Sequence, residues 1–151
     1  MFKKLYNILG TPHDNIWCKW LVDNVRSTVF IRLLILADDA ELNREMIKFI
    51  FEEQYNILQA KDGEEAVKLI TENSDRLCLL FLDLLMPKMS GLDVLRFMNE
   101  KDYIDYIPVI MITGEATDET DEKAYEYGAS DIIYKPFAPN VIFGIIFHKI
   151  F

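Results

Sequence analysis

The sequence lacks the features of a secreted, disulfide-stapled or membrane-spanning protein. Its 151 residues include only two cysteines, Cys18 and Cys78, which are too few and too isolated for a disulfide framework or a paired-cysteine metal site. No apolar run reaches the roughly 18 to 20 residues that span a bilayer. The first ten residues also lack the apolar core of a signal peptide. We therefore expect a cytoplasmic protein with reduced thiols and no transmembrane segment.

Positive charge is scarce as well, and it is unevenly distributed. The net charge of −9 argues against direct nucleic-acid binding. Residues 1–32 carry +3, whereas the remainder of the chain carries −12. This step predicts an N-terminal extension at residues 1–30 and a domain at residues 31–151. Within the extension, Asp14 as a cap and an apolar stripe predict a helix around residues 15–27.

Beyond residue 30, short apolar runs alternate with segments of helical periodicity. Runs of this kind suit parallel strands that are buried on both faces. The predicted strands are residues 33–37, 55–60, 77–82, 107–112 and 132–134. The predicted helices are residues 41–53, around 66–70, around 92–98, 116–127 and 140–151. Five strands alternating with five helices predict an α/β fold, a doubly wound five-stranded parallel sheet.

Polar residues follow four of the predicted strands. Asp38 and Asp39 follow the first strand, Asp83 the third, Thr113 the fourth and Lys135 the fifth. Since the carboxyl ends of parallel strands share one rim, we expect these side chains to converge there. Three converging carboxylates repel one another unless a cation is present, and Mg²⁺ suits oxygen ligands. A hydroxyl and an ammonium at the same rim suit phosphate oxygens.

Four segments of the domain carry a family resemblance. In order, they read LLILADDAELNR, LLFLDLLMPKMSG, VIMITGE and DIIYKPF. Together they resemble the receiver domain of two-component response regulators, which has a flavodoxin-like fold. The spacings of 44 residues from Asp39 to Asp83, 30 to Thr113 and 22 to Lys135 match the usual layout of that family.

The resemblance implies a phosphorylation site and a metal site. Asp83 would accept a phosphoryl group from a sensor histidine kinase or a phosphotransfer protein. Asp38 and Asp39 would hold Mg²⁺ together with Asp83 and the backbone carbonyl of Leu85. Such a protein is not an enzyme in the usual sense, because it catalyses only its own phosphorylation and slow autodephosphorylation.

The resemblance also implies a switch. Lys135 would pair with the phosphoryl group or, before that group arrives, with Asp83, and its bond to Pro136 is often cis in the family. Thr113 would swing toward the phosphoryl oxygen, and Tyr134 would turn inward behind it. The altered surface would then engage a downstream protein partner or an output domain of a longer protein.

Two other functions remain open on the residues alone. A pseudo-receiver that serves as a constitutive interaction module would not need the complete set of site residues. A haloacid-dehalogenase-type phosphatase also uses a strand-end aspartate with Mg²⁺. That class requires a second acidic residue two positions later, where this sequence has Leu85.

The last predicted helix is apolar on nearly all sides and ends at the final residue, Phe151. A helix of this kind is expected to be covered. We expect it to pack on the N-terminal extension, on a second copy in a homodimer, or on an output domain. The chain is therefore expected to be either a stand-alone receiver or part of a longer protein.

Overall fold

Five strands pair in one parallel sheet in the computed structural model, which describes residues 32–115 and 117–150. The strands are β1 (Leu33–Ala37), β2 (Asn56–Ala60), β3 (Leu77–Asp83), β4 (Val109–Thr113) and β5 (Asp131–Tyr134). Their order across the sheet is β2-β1-β3-β4-β5. The predicted doubly wound sheet is thereby confirmed. The N-terminal extension and its predicted helix lie outside the described residues.

Helices connect successive strands and cover both faces of the sheet. Within the described residues they are α1 (Glu41–Phe51), α2 (Gly63–Asn73), α3 (Gly91–Glu100), α4 (Asp118–Glu126) and α5 (Pro139–Ile150). Three of them begin at a side-chain cap: Asp62 caps α2, Ser90 caps α3 and Thr117 caps α4. Each cap accepts a backbone N–H that the helix itself leaves unpaired.

The core explains why the central strands are continuous apolar runs. Every residue of β1, β3 and β4 is buried, because these strands lie inside the sheet with helices on both faces. On one face, alternate residues of β1 pack with the apolar side of α2, α3 and α4. Elsewhere in the core, Phe51 of α1 stacks on Phe81 of β3 with ring centroids 5.8 Å apart. The edge strand β2 is only partly buried, which accounts for its less apolar sequence.

The strand register decides which polar residues become neighbours. Ala37 pairs with Leu82, so the residues that follow them, Asp38 and Asp83, lie side by side at the carboxyl ends of β1 and β3. On the other side of β3, Asp83 pairs with Ile112, which directly precedes Thr113. Thr113 in turn pairs with Tyr134 of β5.

Several elements begin or end one or two residues from their predicted positions, and two of these differences, as well as one unpredicted element, have identifiable reasons. β4 begins at Val109, two residues late, because Pro108 has no N–H to contribute to the ladder. α4 begins at Asp118 because Thr117 caps it, and Ala116 lies outside the described residues. A 3₁₀ turn at Tyr103–Asp105 was not predicted, since three residues carry no readable periodicity.

The described side chains test only part of the prediction that the last helix is covered. Ile142 and Ile146 are buried, whereas Val141 is 42% exposed. The side chains of Phe143, Phe147 and Ile150, and residue Phe151, lie outside the description. Covering of this helix by a second copy or by the extension therefore stays a prediction. Within the described part of the chain, no helix is long and apolar enough to cross a membrane.

Candidate phosphorylation site

The buried Asp38 is held at the end of β1 by four hydrogen bonds. Its Oδ1 accepts the backbone N–H of Ala40 at 2.8 Å and the amide of Asn43 at 3.2 Å. Its Oδ2 accepts the same amide at 3.0 Å and the ammonium of Lys135 at 2.9 Å. With so many donors, this carboxylate is oriented before any ligand arrives.

Asp83 occupies the neighbouring position at the end of β3 and is also buried. Its Oδ1 accepts a hydrogen bond from Lys135 Nζ at 3.0 Å. Burial raises the pKa of Asp83 to about 6, against the opposing hydrogen bond from Lys135 and with a further contribution from the charge of Asp38. The carboxylate therefore lies in a site that penalises negative charge and would gain from an added cation.

Lys135 joins the two carboxylates. Its side chain follows β5, and the Lys135–Pro136 peptide bond is cis, as the resemblance led us to expect. Burial lowers the pKa of the ammonium, but the hydrogen bonds and charges of Asp38 and Asp83 outweigh it and raise that pKa above its usual value. The ammonium is thus a fixed positive charge at the rim.

The third carboxylate, that of Asp39, is exposed. Asp38, Asp39 and Asp83 each offer a carboxylate oxygen, and these oxygens lie within 4.8 Å of one another. A cluster of three oxygen donors with like charge fits a hard divalent cation such as Mg²⁺. Leu85, predicted to contribute its backbone carbonyl, lies in the loop after β3 with its side chain exposed.

The two predicted switch residues lie beside this cluster. The buried hydroxyl of Thr113 accepts the backbone N–H of Glu115 at 2.9 Å and donates to the carbonyl of the same residue at 3.0 Å. Tyr134 points outward, with 43% of its surface exposed, and its hydroxyl donates to the carboxylate of Asp121 on α4. This hydrogen bond, with some burial, raises the pKa of Tyr134 to about 12.

Sequence reasoning missed two residues of α1 that shape the site. Asn43 donates its amide to both carboxylate oxygens of Asp38. Arg44 donates from Nη1 to the backbone carbonyls of Asp38 and Asp39, at 2.7 and 3.2 Å, and from Nε to the side chain of Gln59 at 2.9 Å. The available signal was their position one turn into the helix that follows the acidic pair.

Comparison with known proteins agrees with this geometry. The response regulator receiver domain family matches residues 34–147. The chain belongs to that family. Relatives of this receiver domain include response regulator RR06 of Streptococcus pneumoniae, 36% identical over 106 residues, which are 70% of this chain and 46% of that protein. Transcriptional regulatory protein ResD of Bacillus subtilis is 33% identical over 112 residues, 74% of this chain and 44% of that protein.

Solved structures give the same assignment. A chain of the CheX–CheY–BeF₃–Mg²⁺ complex from Borrelia burgdorferi matches with a TM-score of 0.72 and 28% identity, covering 78% of this chain and 88% of that one. The receiver domain described here spans less than half the length of RR06 and ResD. The comparisons thus establish a response regulator receiver domain of two-component signal transduction.

Proposed function

We propose that this receiver domain is the phosphoacceptor of a phosphorelay, in which Asp83 takes a phosphoryl group from a histidine kinase or phosphotransfer protein with Mg²⁺ in the site. The observation that carries the proposal is the hydrogen bonding of one ammonium, Lys135 Nζ, to both Asp83 and Asp38. Together with Asp39, these residues provide a nucleophile, a fixed cation and a set of metal-ligating oxygens at one rim.

The transfer follows from these groups. A carboxylate oxygen of Asp83 attacks the phosphorus of a phosphohistidine, forming a P–O bond as the P–N bond breaks. The electron pair of the broken bond leaves with the imidazole, and Asp83 becomes an acyl phosphate. Lys135 neutralises charge on the transferring group, and positioning with charge neutralisation is most of what phosphoryl transfer requires.

Mg²⁺, when bound, supplies further neutralisation of the negative charge. Asp39, Asp83 and the backbone carbonyl of Leu85 would hold it directly. Asp38 would act less directly, since four hydrogen bonds already engage its oxygens.

The switch uses the two residues beside the site. Thr113 would exchange its hydrogen bonds to the Glu115 backbone for one to a phosphoryl oxygen, and Tyr134 would leave Asp121 and turn inward. A group that binds one rotamer pair better than the other shifts the population toward that pair. The surface of α4, β5 and α5 would thereby change for a downstream partner.

The remaining assignments belong to the same proposal. Residues 1–30 form an extension and residues 31–151 the receiver, which acts in the cytoplasm. Its partners are a sensor kinase or phosphotransfer protein and a downstream protein or output domain. The apolar sequence of α5 is the basis for proposing homodimer formation through that helix. Catalysis is limited to the domain's own phosphorylation and slow autodephosphorylation.

The deciding experiment is incubation of the full chain with acetyl phosphate and Mg²⁺, followed by intact mass measurement. The expected result is a gain of one phosphoryl group in the native protein and none in the Asp83→Asn variant. Omission of Mg²⁺ should remove most of the labelling.

Three outcomes separate the alternatives. A folded native protein that gains no mass supports the pseudo-receiver. Phosphate release with many turnovers supports a phosphatase. Labelling of Asp83→Asn at the native rate would show that the phosphoacceptor is another residue.

A further inference from the structure

An ion pair between the exposed Lys88 and the buried Asp62 lies at the start of α2. Lys88 Nζ donates to Asp62 Oδ2 at 2.8 Å, and only 4% of the Asp62 side chain is exposed. Asp62 is also the cap of α2, because its Oδ1 accepts the N–H of Glu65 at 2.9 Å. The Lys88 hydrogen bond is the main cause that holds the pKa of Asp62 below its usual value. The Asp62 carboxylate that binds Lys88 is therefore already fixed by its hydrogen bond to the first turn of α2.

The backbone makes a second contact at the same place. A Cβ atom on Gly63 would lie 2.1 Å from the carbonyl oxygen of Met89, so only glycine allows this approach without movement. The Gly63 N–H also donates to the carbonyl of Pro87 at 3.4 Å. The loop at residues 84–90, which we call the β3–α3 loop, therefore lies directly against the first turn of α2.

The conformation of Lys88 points to a role for its side chain. Its φ of +66° lies in the left-handed region, which glycine or asparagine adopts more readily than lysine. A glycine would suit the backbone at this position but would leave Asp62 without its ammonium partner. The side-chain bond thus offsets an unfavourable backbone.

The β3–α3 loop starts immediately after the phosphoacceptor. Leu84 follows Asp83 and is itself fixed, since its N–H donates to Ile112 and its carbonyl accepts from Gly91. Leu85, the predicted carbonyl ligand for Mg²⁺, comes next, three residues before Lys88. Between Leu85 and α3, the contacts with α2 restrain the path of this loop.

We infer that Asp62 and Lys88 are positioning residues, which hold the β3–α3 loop so that the Leu85 carbonyl lies at the metal site beside Asp83. The inference rests on the proposed function. Neither side chain touches the reacting atoms, so both act through the loop. Mutation of residues that orient metal ligands from outside the coordination sphere typically weakens metal affinity by about tenfold or more.

The test measures Mg²⁺ affinity of the metal-free full chain by titration calorimetry, with melting temperature recorded in parallel. Lys88→Met should raise the Kd for Mg²⁺ by about tenfold, and Lys88→Arg, which keeps the cation, should recover most of the loss. Lys88→Gly relaxes the backbone but lacks the ammonium and should resemble Lys88→Met. Lys68→Met, an exposed charge loss on α2, is the matched control and should bind as the native protein does.

Each contrary outcome has a separate meaning. A native Kd in Lys88→Met or Lys88→Gly would overturn the inference and leave the proposed function standing. Equal weakening in Lys68→Met would show a general charge effect and also overturn it. Failure of the native chain to bind Mg²⁺ or accept a phosphoryl group would instead refute the proposed function.

Discussion

Tyr134 on β5 donates its hydroxyl hydrogen bond to Asp121 on α4, and this bond holds the aromatic ring in its outward position. The other carboxylate oxygen of Asp121 is buried and has no hydrogen-bond partner among the described residues. A buried acceptor that lacks a hydrogen-bond partner costs free energy of folding, so the hydrogen bonding of the Asp121 carboxylate is incomplete. The outward state therefore depends on one bond to an incompletely satisfied partner.

Asp121→Ala should favour the inward state of Tyr134. Loss of one hydrogen bond worth about 1 kcal/mol corresponds to roughly a fivefold change in population. If phosphorylation selects the inward ring, labelling by acetyl phosphate should become faster by a similar factor. Asp118→Ala, an exposed change on the same helix, is the control. A native labelling rate in Asp121→Ala would show that this bond does not restrain the switch.

Asp83 should make the metal-free protein less stable as the pH rises. Its folded pKa of about 6 lies above the ordinary value of 3.8, so the fold favours the protonated carboxyl. The stabilisation from this preference is fully present below about pH 4 and is lost as the pH rises through 6. The free energy of unfolding falls by about 3 kcal/mol over that range. In EDTA at pH 7.5, Asp83→Asn should therefore unfold at higher urea concentration than the native protein.

The same comparison at lower pH supplies the control. By pH 5.2 the difference in free energy of unfolding between Asp83→Asn and the native protein should shrink by about 1 kcal/mol. A difference that does not change with pH would indicate that Asp83 is not the titrating group.

Asp39→Ala should separate metal binding from stability. Removing one of three clustered negative charges relieves repulsion, so the metal-free variant should be more stable by about 0.5 kcal/mol. The same change removes a predicted direct ligand, and calorimetry should detect no Mg²⁺ binding. Asp75→Ala, at an exposed position, should change neither quantity. Native Mg²⁺ affinity in Asp39→Ala would remove Asp39 from the ligand set.

Arg44→Met should disturb the backbone of the acidic pair, Asp38 and Asp39. The guanidinium donates hydrogen bonds to the backbone carbonyls of Asp38 and Asp39. Loss of these hydrogen bonds should lower the free energy of unfolding by about 1 to 2 kcal/mol and weaken Mg²⁺ binding. Arg96→Met removes only an exposed ion pair with Asp93 and should cost less than about 1 kcal/mol in urea unfolding. Equal losses in the two variants would mean that Arg44 makes no special contribution.

The sequence predicted the parts of this molecule that depend on local pattern. Continuous apolar runs indicated β1, β3 and β4 because burial on both faces leaves no alternation. The strand-end position of Asp83 and Lys135 indicated a shared rim, and the structure places their charged atoms 3.0 Å apart. These inferences need only the chain direction of parallel strands.

What the sequence could not indicate arises from contacts between distant residues. Asn43 and Arg44 look like ordinary helix residues, and only the packing of α1 at the rim brings them to Asp38. Ser90 and Gly91 come just before an apolar periodic segment, where Ser90 caps α3 and Gly91 is its first residue. A Cβ on Gly91 would lie 2.2 Å from the Asp83 carbonyl oxygen, so close packing is the reason for glycine there.

The burial of β3 also determines where movement in this molecule can occur. All seven of its residues are buried, and the strand is hydrogen-bonded to β1 on one side and β4 on the other. Amide hydrogens in such a strand exchange with solvent only when the whole domain opens. Phosphorylation should therefore leave exchange at β3 limited by global unfolding and alter it chiefly in the loops that follow β3 and β4 and at the surface of α4, β5 and α5. The strand that carries the phosphoacceptor would then be a stationary reference, against which the displacement of those loops can be measured.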